Sequence, residues 1–263
     1  MSAAAEPIIE VKDLVAGYGS RMVLEHVSFR VNQGEVFVII GRSGSGKSTL
    51  LKHLIGLNPP LAGEVCIEGR DLVAVRGKER RRLLRTFGVL YQSGALFGSM
   101  TVLENVRLPL DEFTDLPLPA RNFVALSKLK LVGLAAAAQI MPAELSGGMQ
   151  KRAAIARAMA LDPRILFLDE PSVGLDPITS AGLDELITQL AEDFGITFVI
   201  VTHELESIYR IASRVIMVDD RSRTIIAEGV PAELRDHSTD PRVRRFFRRE
   251  SDPELAVGET QRA

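Results

Sequence analysis

Residues 41–49 read Gly41-Arg42-Ser43-Gly44-Ser45-Gly46-Lys47-Ser48-Thr49 and stand directly behind the apolar run Val36-Phe37-Val38-Ile39-Ile40. A glycine, four residues, a second glycine, a lysine and a serine is the spacing of a phosphate-binding loop. Gly41, Gly44 and Gly46 let the backbone bend tightly and turn its N–H groups toward an anion. Arg42, Ser43, Ser45 and Thr49 complete the loop. A helix starting near Lys47 adds the positive end of its dipole. Lys47 then reaches the β and γ phosphates, and the Ser48 hydroxyl is placed to ligate Mg²⁺. With a strand before it and the helical Leu50-Leu51-Lys52-His53-Leu54 after it, the stretch predicts binding of a nucleoside triphosphate.

The chain is long enough to build a fold around that loop. Its 263 residues make one large α/β domain or two small ones. A globular chain of this size buries about three quarters of its unfolded surface. A formal charge of −2 argues against wholesale wrapping of nucleic acid. Cys66, the single cysteine, sits in the alternating Glu64-Val65-Cys66-Ile67-Glu68, which predicts a small core residue rather than a reactive thiol. The N-terminal MSAAAEPIIEV lacks the basic region and apolar core of a secretion signal. No apolar run approaches the roughly 20 residues that cross a bilayer. A cytoplasmic chain is expected, with any membrane role exercised through a partner.

Upstream of the loop, Ile9 and Val11, then Val27, Phe29 and Val31, alternate as strands, with breaks at Gly17, Gly19 and Gly34. Tyr18 lies in the first break, where an aromatic ring is either loop packing or a platform for a nucleotide base. Downstream, residues 63–69 read as a short strand, and residues 87–91 as another that ends in Gln92. Between them lies a basic helix over 78–85, read as a solvated face or a weak site for anionic headgroups. Residues 93–142 switch to helices. Thr101 and Glu104 form a capping-box pair. Residues 111–119, with Pro117, Pro119 and several acids, predict a loop, and further helices are expected over 119–131 and 134–140. This reads as a helical subdomain inserted in an α/β core. Ser146 then caps an alanine-rich helix over 151–161, and Gly147 and Gly148 leave N–H groups open to an anion.

Arg164-Ile165-Leu166-Phe167-Leu168-Asp169-Glu170 is an apolar run ending in two carboxylates, as in a parallel strand buried on both faces. Carboxylates at that end fall where α/β sheets place their ligands. Asp169 suits Mg²⁺, directly or through water, and Glu170 suits polarising a water against the γ phosphate. Val173-Gly174-Leu175-Asp176-Pro177 turns into a helix over 178–194, and a strand over 196–201 ends in Thr202-His203-Glu204. His203 thus joins the loop and the carboxylates at one sheet edge, which favours a phosphate contact. Residues 215–218 and 224–228 predict a closing hairpin. Beyond Pro231 the chain turns helical and charged, and Val243, Phe246 and Phe247 at helical spacing need a surface to cover. About 14 terminal residues read as disordered.

Together these elements resemble an ABC-type ATPase over nearly the whole chain, because the motifs arrive in family order. By that resemblance Tyr18 is the base-stacking aromatic and Gln92 the glutamine that senses Mg²⁺ and the attacking water. Ser146-Gly147-Gly148 is the family signature, Glu170 the catalytic glutamate, Asp176 the turn aspartate and His203 the switch histidine at the γ phosphate. The resemblance implies an α/β P-loop NTPase fold: a RecA-like core, an N-terminal antiparallel β-subdomain and a helical signature subdomain over about 93–160. The ATPase domain would span 7–233 and a C-terminal extension 234–263. ATP and Mg²⁺ are implied, as is a head-to-tail homodimer with each ATP held between one phosphate loop and the other copy's Ser146-Gly147-Gly148.

Finer detail is similar to the ATPases of MCE-type phospholipid transporters, best known from the Mla system of Gram-negative bacteria. The residues that carry this are YQSGALF at 91–97, MPAELSGGM at 141–149, Lys151-Arg152 and GLDPIT at 174–179. That branch implies a membrane permease, an MCE-domain lipid-binding protein and a small regulatory subunit as partners. It implies a peripheral place on the cytoplasmic side of the inner membrane and lipid movement that maintains outer-membrane asymmetry. It also implies an extension, opening at Asp240-Pro241-Arg242-Val243, packed on the neighbouring copy. Ser172-Val173 and the arginine-rich tail depart from the commoner pattern. An amino acid importer or a lipoprotein extruder would share every catalytic motif, because no motor residue need touch cargo. Non-transport relatives acting on DNA or the ribosome fit less well. About fifty residues between Gln92 and Ser146 are too few for a long coiled coil and its return, and only one set of motifs is present.

Overall fold

Residues 7–250, those described by the computed structural model, begin with a long antiparallel pair, β1 (Pro7–Tyr18) and β2 (Arg21–Asn32). The fully apolar β3 (Val36–Ile40) leads through the phosphate-loop sequence into α1 (Lys47–Leu54). Next, β4 (Ala62–Ile67) and the short β5 (Arg70–Asp71) extend the first pair into an antiparallel sheet of order β2-β1-β4-β5. After α2 (Gly77–Leu84) and β6 (Phe87–Leu90) the chain leaves the sheets for α3 (Val102–Phe113), α4 (Leu118–Leu131) and α5 (Gly147–Ala158). It returns through β7 (Ile165–Asp169), α6 (Pro177–Phe194), β8 (Thr197–Val201), α7 (Leu205–Ile211), β9 (Arg214–Asp219) and β10 (Thr224–Gly229). The second sheet has the order β10-β9-β3-β8-β7-β6 and is parallel except at its edge strand β10. Two short helices, α8 (Pro231–His237) and α9 (Pro241–Arg248), close the described chain. Among the described residues no helix is long and apolar enough to cross a membrane.

The apolar runs sit where burial on both faces demands them. Along β3, Val36, Val38 and Ile40 join the core beneath the helices, while Phe37 and Ile39 join the core shared with the antiparallel sheet and α1. The other parallel strands divide in the same way: Leu166 and Leu168 face the helical side, Ile165 and Phe167 the other. Phe29 stacks on Phe37 at 5.3 Å, and Arg214 lies over the same ring at 5.0 Å while pairing with Glu35. The two sheets are therefore locked together beside β3, and the loop that follows β3 starts from a rigid edge.

Within the helical segment the capping box is complete. The Thr101 hydroxyl accepts from the Glu104 N–H at 3.2 Å, and the Glu104 carboxylate accepts from the Thr101 N–H at 2.8 Å. Several sequence expectations need correction. The predicted loop over 111–119 shrinks, because α3 continues through Pro109 to Phe113, with Val106 and Leu110 buried on one face. Pro119 sits in the first turn of α4, where no backbone donor is needed. No α-helix forms over 134–140. A single 3-10 turn covers Ala135–Ala137, and the carbonyls of Ala138 and Ile140 accept from the N–H groups of Leu103 and Val102 at the start of α3. The helix after the predicted cap begins at Gly147 rather than Lys151 and ends at Ala158. Gly17 does not break a strand but lies within β1. Cys66 is only half-buried and faces away from the core that takes Val65 and Ile67. Burial nevertheless pushes its thiol up, toward the unreactive protonated form.

Val243 and Phe247 of α9 are buried in the helical-side core of their own chain, and Phe247 meets Tyr209 at 5.9 Å. Arg242 pairs with Asp219 and Asp240 at 2.7 Å each. The apolar face expected to need a surface finds one on α7 in the same chain. The expected terminal disorder lies outside the described residues.

Candidate functional site

The turn after β3 is shaped by glycines that no other residue replaces. Gly41 has φ +152°, and a Cβ there would lie 2.5 Å from the Val218 carbonyl oxygen. Gly46, at φ +99°, forms the left-handed step into α1, and a Cβ on it would meet Val23 and Leu24 at 3.0 Å. Lys47 follows, mostly buried, with its Nζ donating to the carbonyls of Gly41 and Arg42 at 2.9 Å each. Burial lowers its pKa, opposed by the charges of Glu170 and Asp169. A desolvated ammonium folded over its own loop is primed for an anion that brings better acceptors. The Ser45 hydroxyl is buried beside it without a protein partner.

Ser48 and Asp169 come from elements far apart in sequence and meet at the C-terminal edge of the parallel sheet. The Ser48 hydroxyl donates to Asp169 Oδ1 at 3.3 Å. Burial raises the Asp169 carboxyl above its ordinary range, against the lowering effects of Ser48, Lys52 and Lys47. Glu170 departs from the strand through a left-handed backbone, φ +47°, held by its N–H donating to the Val201 carbonyl at 2.8 Å. A non-glycine residue in that region carries strain, and the surrounding structure has to impose it. The consequence is directional. Glu170 Oε1 accepts from His203 Nδ1 at 2.8 Å, and Oε2 is buried with no protein partner. His203 stands just past β8 and is more than half exposed.

These groups, apart from Ser45 and Asp169, which lie behind its wall, line one cleft of about 860 Å³. Its wall carries Tyr18, Gly41 to Gly44, Gly46 to Thr49, Gln92, Glu170 and His203, together with Arg21, Val23, Val173 and Phe246. Tyr18 is 47 % exposed, with its hydroxyl 3.4 Å from Thr49 Oγ1 and 3.5 Å from Lys52 Nζ. The Thr49 contact leads in lowering its pKa. This exposed ring, tethered at its hydroxyl, lines the cleft with the Lys52 ammonium 5.8 Å from its centroid.

Ser146, Gly147 and Gly148 do not line this cleft. Ser146 accepts from the Met149 N–H at 3.3 Å as a helix cap, and a Cβ on Gly148 would lie 2.3 Å from the Thr179 side chain. Asp176 caps α6, accepting from the N–H groups of Ile178 and Thr179 and from the Thr179 hydroxyl at 2.6 Å. The Thr179 hydroxyl is the chief reason its carboxyl lies below the ordinary range. One chain therefore assembles the loop, the carboxylates, Gln92, His203 and Tyr18, and leaves the signature trio on a different surface.

Sequence reasoning missed the cations that hold the segment after β6. Lys151 donates to the Gln92 carbonyl, and Arg157 donates to those of Gly94 at 2.9 Å and Ala95 at 2.7 Å. Both project from α5, so the helix that begins at Gly147 grips the backbone that carries Gln92. Six residues apart, they stand about 120° from each other around the helix, so no single-face pattern picks them out, and nothing in the sequence names the carbonyls they seek.

The chain matches the ABC transporter family over residues 24–173. It is 40 % identical over 245 residues to the intermembrane phospholipid transport system ATP-binding protein MlaF of Haemophilus influenzae, covering 93 % of this chain and 92 % of that one. Against the Escherichia coli K12 protein of the same name it is 39 % identical, over 94 % and 91 %. A dimeric ATP-binding cassette in a post-hydrolysis state, bound to ADP and Pi, superposes with a TM-score of 0.75 at 33 % identity, covering 84 % of this chain and 98 % of that one. A cassette of the cbiONQ ABC transporter complex of Clostridium perfringens superposes at 0.80 with 25 % identity, over 98 % and 99 %. With this family match, this coverage and a phosphate loop facing an acidic strand end, the chain belongs to the ABC transporter family of ATP-binding proteins.

Proposed function

We propose that this ATPase is the motor subunit of a transporter that moves phospholipids between the inner and outer membranes and so maintains outer-membrane lipid asymmetry. The observation that carries the ATPase part is Glu170, oriented by His203 and lining the phosphate-loop cleft with one buried carboxylate oxygen unpartnered. The phospholipid part is supported by identity of about 40 % with MlaF over nearly the full length of both chains. Arg42, Ser43, Ser45 and Thr49 complete the phosphate cradle around Lys47, and Tyr18 stacks on the base. Ser48, Asp169 and Gln92 are the residues that would hold Mg²⁺. Their oxygen donors suit that hard cation, with substrate phosphates supplying the remaining ligands. When bound there, Mg²⁺ would supply charge neutralisation to the phosphate oxygens. Glu170 then accepts a proton from the attacking water, and His203, whose Nδ1–H faces the carboxylate, keeps that carboxylate aimed.

The remote position of Ser146, Gly147 and Gly148 fits a site completed by a second, head-to-tail copy, with Asp176 at the same seam. The ATPase domain over 7–233, its helical subdomain over about 93–160, and an extension over 234–263 that contacts the second copy are parts of this reading. So are a permease, an MCE-domain protein, a small regulatory subunit and a peripheral place on the cytoplasmic side of the inner membrane. Another cargo has one specific support: a Mycobacterium leprae relative, 40 % identical over 239 residues, bears a name that assigns it to ribonucleotide transport. Purifying the tagged chain in mild detergent, with mass spectrometry of bound proteins and lipids, separates the cargoes. A permease and an MCE-domain protein carrying phospholipid are expected. A permease with a different substrate-binding protein would keep the motor and discard the lipid.

A further inference from the structure

We propose that His53 is a positioning residue for nucleotide binding, tying the end of β1 that carries Tyr18 to the helix that follows the phosphate loop. The inference rests on the reading of Tyr18 as the base platform.

His53 lies one turn beyond Thr49 in α1 and is 1 % exposed. Its Nδ1 stands 2.8 Å from the Thr49 carbonyl oxygen. A carbonyl only accepts, so Nδ1 carries the proton, and Nε2 is left with a lone pair. The Gly17 N–H donates to that lone pair at 3.4 Å. Burial lowers the pKa of the ring, the direction that keeps it neutral and so keeps Nε2 an acceptor. A charged ring would present N–H to N–H at this contact.

The contact falls where a small displacement matters. Gly17 immediately precedes Tyr18, and a Cβ on it would lie 2.1 Å from the Arg21 carbonyl oxygen, so its backbone has no slack on that side. Tyr18 itself reaches Thr49 and Lys52, the neighbours of His53 on α1. Two consecutive residues of β1 are thus fastened to a single stretch of α1, and His53 makes the one buried link. An apolar side chain of similar volume would fill the space yet leave the Gly17 N–H without its acceptor. The tether fixes the span between the base platform and the phosphate loop, a distance a triphosphate lacking a base does not use.

Binding of ATP and of inorganic tripolyphosphate to the full chain, in a Glu170→Gln background that prevents turnover, provides the test. His53→Leu is expected to let the Gly17 N–H turn to water in the free chain, so that ATP binding must bury it unpaired and weakens about tenfold, and to leave tripolyphosphate binding unchanged. His53→Gln, whose side-chain oxygen reaches the Nε2 position, should restore ATP affinity. His53→Asn, which reaches only the Nδ1 position, should not. This pair keeps a polar side chain at the site and holds the comparison if the leucine variant folds poorly. Tyr18→Ala serves as the control for the platform. If it weakens ATP selectively while His53→Leu and His53→Asn do not, His53 is core filling and the proposal falls alone. Equal loss of ATP and tripolyphosphate in the His53 variants would also overturn it, as a collapse of the loop. No selective loss in Tyr18→Ala would remove the platform reading and the proposal together.

Discussion

Glu170 and Asp169 are neighbours in sequence, proposed for different roles, and the backbone separates them. Asp169 is the last residue of β7, paired with Val201, whereas the left-handed φ of Glu170 swings the next carboxylate to His203. Glu170→Gln should retain nucleotide binding and lose hydrolysis by roughly 100-fold or more, the contribution of a positioned general base; phosphate release at saturating ATP reads this, and undiminished turnover removes Glu170 from the role. Asp169 makes a pH-dependent prediction. Burial raises its carboxyl, so between its unfolded and folded values the native state binds more protons than the unfolded chain. Stability contributed by Asp169 therefore falls as pH rises through that window, and at neutral pH its charge burdens the nucleotide-free fold. Asp169→Asn should melt at or above the parent at pH 7 without nucleotide, an advantage that fades below the ordinary carboxylate range. It should also lose the extra stabilisation conferred by Mg²⁺ and ATP. Thermal melts across pH, with and without the ligands, check both halves; a lower melting point at pH 7 without nucleotide contradicts the first.

Among the elements, α3 and α5 bear the greatest consequences. Thr101→Ala removes a complete capping box at the head of α3 and should cost about 1 kcal/mol in urea unfolding. The helical lobe is pinned to the parallel sheet by close backbone contact as well as by side chains. A Cβ on Gly88 in β6 would lie 2.1 Å from the Ala158 carbonyl oxygen of α5. Gly88→Ala should therefore destabilise by about 1–3 kcal/mol, the range of overpacking, and shift the segment held by Lys151 and Arg157. An unchanged unfolding midpoint would mean that α5 moves away from β6 at little cost. These contacts link the helix starting at Gly147 to the backbone of Gln92 without a side chain of Gln92 taking part.

At the scale of the molecule, the C-terminal helix changes the expectation for a truncated chain. Val243 and Phe247 are buried on the chain that carries them, and Arg242 answers the mostly buried Asp219. Truncation after His237 removes two core side chains worth about 1.5–3 kcal/mol each, partly offset by the entropy of ordering the helix. The isolated subunit should therefore lose about 2–4 kcal/mol of stability, read by urea unfolding at a concentration where it is monomeric. If stability holds while ATP-dependent pairing weakens, the helix serves the second copy rather than its own core. In the proposed nucleotide-driven pairing, taking a closed dimer from 1 % to 99 % populated needs about 5.5 kcal/mol of differential binding.

The sequence by itself determined the phosphate loop, the apolar parallel strands, the acidic strand end and the capping box of α3. Each is written in contiguous residues whose spacing matches a local period or turn. It also placed Gln92 and His203 near the loop, because strand ends in a parallel sheet share one edge, whereas Tyr18, at the end of the antiparallel β1, was assigned to the site by resemblance alone. Only the tertiary structure decided which face Cys66 takes, how far α3 runs past Pro109 and why residues 134–140 stop short of a helix. Those outcomes depend on partners distant in sequence, such as the α3 N–H groups that claim the carbonyls of Ala138 and Ile140. The same holds for the His53 contact to Gly17, 36 residues away, and for the grip of Lys151 on Gln92, 59 residues away. A periodic pattern says that a side chain is buried or exposed, whereas the fold alone says which donor meets which acceptor.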